Sequence, residues 1–98
     1  MRPCLPRATV VGLSGKQTAL LRRHVGDGAQ LRILTPNRAL KFRGDDSDVV
    51  IITRFVGHKH ERHLRRVATC PVVFLRAGAV DAVLRTLRSV LHVDVIAA

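Results

Sequence analysis

A small doubly wound α/β domain built on a parallel sheet is predicted by three features of this sequence. Short apolar runs alternate with amphipathic segments from residue 8 onward. Turn-forming residues, Gly26-Asp27-Gly28 and Pro36-Asn37 among them, separate these segments. The last third contains an unambiguous amphipathic helix, with Val80, Val83, Leu84, Leu87, Val90 and Leu91 on one stripe and Asp81, Arg85 and Arg88 opposite.

In chain order, Ala8 to Leu13 reads as a first strand, Lys16 to Val25 as a helix and Gln30 to Thr35 as a second strand. Asn37 to Phe42 suits a short helix. Asp45, Asp46 and Asp48 form an acidic turn before the strand Val49 to Phe55, and Lys59 to Ala68 follows as a helix. Val72 to Leu75 is a fourth strand, and the helix from Val80 to Leu91 returns across the sheet. His92 to Ile96 alternates polar and apolar residues, as a fifth short strand or an edge for pairing with another copy would. Right-handed βα crossovers give the strand order 2-1-3-4, with the chain reversing direction between strands 1 and 3. Ligands of such sheets bind at the carboxyl ends of those two strands, where the loops Gly12 to Lys16 and Thr53 to His58 fall.

The 98 residues suit one domain, with residues 1–7 as an N-terminal extension and 92–98 as a tail or edge strand. A hydrophobic fraction of 47% excludes a disordered tail, yet no apolar run approaches the roughly twenty residues of a membrane span. The N-terminal M-R-P-C-L-P-R carries charge and two prolines without an apolar core segment, so a cytoplasmic protein without a membrane partner is expected. Cys4 and Cys70 are too few and too far apart for a disulfide framework, consistent with a reducing compartment.

Seventeen Lys and Arg against seven Asp and Glu give a net charge of +10, which favours a polyanionic partner, DNA or RNA first. With no Trp or Tyr and only three Phe, base stacking has few platforms, so phosphate contacts must dominate. Lys59, Arg62, Arg65 and Arg66 concentrate positive charge on the third helix and are the candidate nucleic-acid contacts, with Lys16 and Arg54 contributing. The plain alternative is that the charge keeps a small apolar protein soluble.

Other motifs point to narrower chemistry. G-L-S-G-K-Q-T, Gly12 to Thr18, is similar to a phosphate-cradling Walker A loop but two residues short, and no strand ends in the Asp that would complete a hydrolytic site. Ser14 and Gln17 have capping-box spacing, and Ser14, Gly15 and Lys16 with Thr53, Arg54 and His58 form a candidate anion or small-ligand site. His58, His60 and His63 supply three imidazoles, a minority zinc reading, since Cys70 stands roughly 15 Å away along the helix. The Cys70 to Arg76 spacing matches that of cysteine phosphatases, but an apolar strand fills it. A receiver domain needs acids after strands 1 and 3, where this chain has Gly12-Leu13-Ser14 and Thr53. No cofactor is expected.

The pattern V-V-I-I-T-R-F-V-G-H, followed by a basic helix and C-P-V-V-F-L, resembles a bacterial family of small flavodoxin-like domains of unknown function, over about residues 8 to 91. The resemblance implies a Rossmann-like fold and a loop after strand 3 reading Val-Ser-His. Gly57 stands here in place of that Ser, while His58 matches. It implies no activity. Three functions are therefore expected in order: a non-enzymatic regulatory or accessory nucleic-acid binder; a sensor for a phosphorylated or nucleotide ligand; and a structural protein that dimerises or recruits a protein partner through its C-terminal edge.

Overall fold

The computed structural model describes residues 5–42 and 47–91. Its elements are β1 (Arg7–Val11), α1 (Gly15–Val25), β2 (Gln30–Leu34), α2 (Pro36–Ala39), β3 (Val49–Ile52), α3 (His58–Val67), β4 (Val72–Phe74) and α4 (Val80–Leu91). The sheet is entirely parallel in the order β2-β1-β3-β4, the doubly wound arrangement expected from the sequence. The acidic turn at Asp45 and Asp46, Cys4 and the proposed strand His92 to Ile96 lie outside the described residues.

Register explains the two cores. Ile33, Val10, Ile51 and Val73 form one row across the four strands. They face α1 and α4, where Leu21, Val25, Val80, Val83 and Leu87 are buried. The next row, Leu34, Val11, Ile52 and Phe74, lies on the opposite side with Ala39 of α2 and Leu64 of α3. Successive strand residues alternate between faces, so β1 and β3, covered on both sides, have to be apolar along most of their length. Thr9 is the buried polar exception: its hydroxyl shares a 2.5 Å hydrogen bond with that of Ser47, while the other polar residue of β1, Arg7, is exposed at its start.

Among the differences from expectation, three boundaries and one buried face have plain local reasons. β1 ends at Val11 because Gly12 takes φ +96°, which turns the chain out of the sheet. β3 stops at Ile52 because a turn follows, closed by the Val56 N–H donating to the Thr53 carbonyl at 3.2 Å. α2 starts at Pro36, whose missing N–H costs nothing at a first helical position, behind an N-cap in which Thr35 Oγ1 accepts from Arg38 N–H. In α4 the buried seam is Val80, Ala82, Val83 and Leu87, while Val90 stays 38% exposed at the margin of the stripe. Among the described residues no helix is long and apolar enough to cross a membrane.

Candidate functional site

At the carboxyl ends of β1 and β3 the two loops are joined directly. The Thr53 N–H donates to the Val11 carbonyl at 3.1 Å, and the Thr53 hydroxyl donates to the Gly12 carbonyl at 2.9 Å. A Cβ on Gly12 would fall 2.6 Å from Val56 Cγ2 and closer still to Thr53 Oγ1. Glycine at this position therefore lets the β1 backbone lie against the β3 loop. The protein's own atoms fill this seam of the switch point, and Thr53, fully buried, spends its hydroxyl there.

The other residues expected at this edge are placed around that seam. Ser14 forms the capping box its spacing predicts: its Oγ accepts from Gln17 N–H at 3.2 Å, and its own N–H donates to Gln17 Oε1 at 2.9 Å. Gly15 has open space beside it and Lys16 is exposed. Arg54 lays its guanidinium over the Phe55 ring, 4.8 Å from the centroid. His58, 91% exposed, faces Glu61 with Nδ1 3.6 Å from the carboxylate.

Helix α3 divides into two charged stripes. His58, Glu61 and Arg65 share one, where Arg65 Nε donates to Glu61 Oε2 at 2.8 Å. That hydrogen bond holds the Glu61 carboxyl below its ordinary range, against the opposing effect of partial burial, and the charges of Arg65 and His58 add to the lowering. Lys59, Arg62, His63 and Arg66 occupy the other stripe at i, i+3, i+4 and i+7. With Leu40 they line a groove of ≈ 590 Å³ between α2 and α3. Of the four candidate nucleic-acid contacts, Lys59, Arg62 and Arg66 are thus brought together, and Arg65 belongs to the neighbouring stripe.

His63 fixes the groove wall. Its Nε2 lies 2.8 Å from the Phe42 carbonyl, and an Arg66 guanidinium nitrogen lies 3.3 Å from its Nδ1. Arginine can only donate and a carbonyl can only accept, so these contacts place the proton on Nε2 and leave Nδ1 as acceptor. The bond ties α3 to the chain just beyond α2 and directs Arg66 along the groove. On the other side of α2, Arg32, Arg38 and Lys41 line a second groove of ≈ 400 Å³ with Ile33, Leu34 and Phe42, and Arg32 sits 6.0 Å from the Phe42 ring centroid. Among the described residues neither groove has an acidic lining residue. Sequence reasoning missed Arg38 and Lys41, although their i, i+3 spacing after the Thr35 cap signals a shared helical face.

The three histidines go to three different environments. His63 is committed to Phe42 and Arg66, His58 faces Glu61, and His60 keeps a buried Nδ1 with no hydrogen-bond partner among the described residues. No group of three His, Cys, Asp or Glu side chains suited to a metal ion occurs among the described residues. Comparison with family models, curated proteins and solved structures found no match to this chain.

Proposed function

We propose that this protein is a binding module that holds nucleic acid by its phosphates on the α2–α3 face. The observation behind the reading is the alignment of Lys59, Arg62 and Arg66 in one groove, beside a second groove containing Arg32, Arg38 and Lys41, with no carboxylate in either lining among the described residues. The seven residue steps of α3 from Lys59 to Arg66 advance the stripe by about 10 Å, so its charges follow a backbone rather than converge on one small anion. Arginine suits the task because its planar fork donates two hydrogen bonds to one phosphate. A ligand inserted between Gly12 and Thr53 would have to displace atoms already in contact, which favours the basic face over the carboxyl edge.

Anisotropy of labelled single-stranded and duplex oligonucleotides across a salt series tests this. Affinity should fall linearly in log salt, and a variant carrying Arg62→Glu and Arg66→Glu should lose about 1.4 from the slope on single strands and about 1.8 on duplex. Equal binding by parent and charge-reversed protein would show that this face is not the contact surface.

A further inference from the structure

The aromatic content of this chain is so low that the position of each ring matters. It has three Phe and neither Trp nor Tyr. Phe42 is 6% exposed beneath α2, and Phe74 is packed against the same core. Phe55 is 55% exposed. A single exposed hydrophobic residue is ordinary on a protein surface, but three features set this one apart.

First, the loop is held on both sides of the ring. Thr53 is fully buried and hydrogen-bonded to Gly12, and Val56 is 5% exposed within the α2–α3 core, so Phe55 is carried outward on a fixed turn. Second, the Arg54 guanidinium lies 4.8 Å from the ring centroid, and more than half of Phe55 still meets solvent. A ring paired with a guanidinium offers a π surface and a cation together, a combination on which unpaired bases stack. Third, Phe55 lies four residues before Lys59, the first cation of the α3 groove, which puts their Cα atoms within about 14 Å. One bound strand can touch both.

We infer that Phe55, backed by Arg54, is a stacking platform for an unpaired base, and that the nucleic acid held on the α2–α3 face is single-stranded where it passes the carboxyl edge of the sheet. The inference rests on the phosphate-binding reading above and adds to it the class of strand. In a duplex the base faces are already stacked on one another, so a single exposed ring gains nothing from them. Phosphates supply attraction along the groove, and Phe55 selects for a base that is free to turn outward.

The chain contains no Trp, so Phe55→Trp introduces one fluorophore at the platform itself. Titration with oligo-dT and with oligo-U should quench the introduced indole saturably, and a duplex of equal charge should not. In parallel, Phe55→Ala should weaken single-strand binding about ten-fold, leave duplex binding within about two-fold, and leave the salt slope unchanged, because no phosphate contact is removed. Circular dichroism of both variants should match the parent, since the ring is not part of either core. Single-strand binding without quenching, or Phe55→Ala binding as the parent does, overturns the platform and leaves the phosphate reading standing. Failure of the parent to bind any oligonucleotide overturns both.

Discussion

Replacing Gly12 by Ala tests whether the two loops at the switch point are locked as described. The residue sits at φ +96°, where an L side chain is strained by about 1–2 kcal/mol. Its new Cβ would lie 2.6 Å from Val56 Cγ2, about 1 Å inside ordinary carbon contact, and would also collide with Thr53 Oγ1. Forcing an extra carbon into such a contact costs about 1–3 kcal/mol. Moving the loops apart instead stretches the hydrogen bond from the Thr53 hydroxyl to the Gly12 carbonyl, worth about 0.5–1.5 kcal/mol. Relaxation trades one cost against another, so the expected loss is about 3–5 kcal/mol, out of the 5–15 kcal/mol typical of a domain. Urea unfolding followed by circular dichroism measures it directly, and the melting temperature should fall by about 12 °C or more. Adding Val56→Ala removes one of the colliding groups, so the double variant should be less damaged than the sum of the singles by about 1 kcal/mol or more. A Gly12→Ala protein within about 0.5 kcal/mol of the parent would refute the packing argument at this seam.

Three other substitutions probe neighbouring features. Gly15→Ala is the control, since a Cβ there meets nothing within 4 Å; it should stabilise by about 0.4–1 kcal/mol in the same urea assay. Leu64 is the fully buried anchor of α3, and Leu64→Ala should cost about 2–5 kcal/mol and weaken oligonucleotide binding, the helix having lost its seat. Glu61→Gln removes the carboxylate held by Arg65, at about 0.5 kcal/mol for a helix pair of this spacing. Because the hydrogen bond from Arg65 holds the folded Glu61 carboxyl below its ordinary value, its contribution is present above the ordinary carboxylate range and disappears as pH falls through the lower folded value. Parent and variant stabilities should therefore differ near neutral pH and converge in acid, as read by thermal melts at stepped pH.

The parts of this protein that could be read from sequence are those governed by periodicity. The buried stripes of β1, β3 and α4 follow from residue spacing alone, and the strand order follows from crossover handedness. Strand ends were less legible, because Gly12 and Thr53 close their strands through a contact between residues 41 apart in sequence. The same division applies to the site. Lys59, Arg62 and Arg66 share a helical face by counting, and the Glu61-to-Arg65 spacing of four residues already marks Arg65 as a residue with a local acidic partner. Arg38 and Lys41 are different: only the packing of α2 beside α3 brings their groove next to that of Lys59. Phe55 reads in sequence as the end of an apolar strand, and only the turn at Thr53 to Val56 carries it outward.

The accumulation of like charge on one face has a consequence for the free protein. Lys59, Arg62 and Arg66 stand at i, i+3 and i+7 on α3, and each such neighbouring pair destabilises a helix by about 0.2–0.5 kcal/mol. The net charge of +10 adds a diffuse repulsion across the whole domain. Raising monovalent salt from about 10 mM to 150 mM shortens the screening length from about 30 Å to 8 Å, which relieves both. The melting temperature of the ligand-free protein should therefore rise over that range, and the rise should shrink in the Arg62→Glu, Arg66→Glu variant, because two charge reversals lower the net charge of +10 by four and turn the Lys59–Arg62 repulsion into an attraction. Bound oligonucleotide should reverse the trend, because the polyanion already neutralises the groove at low salt and is released as salt increases. A melting temperature that falls with salt in the absence of ligand would mean that attractive pairs such as Glu61–Arg65 outweigh the repulsion along the groove. The positive stripe would then already be compensated within the fold, with little drive left for an external phosphate chain.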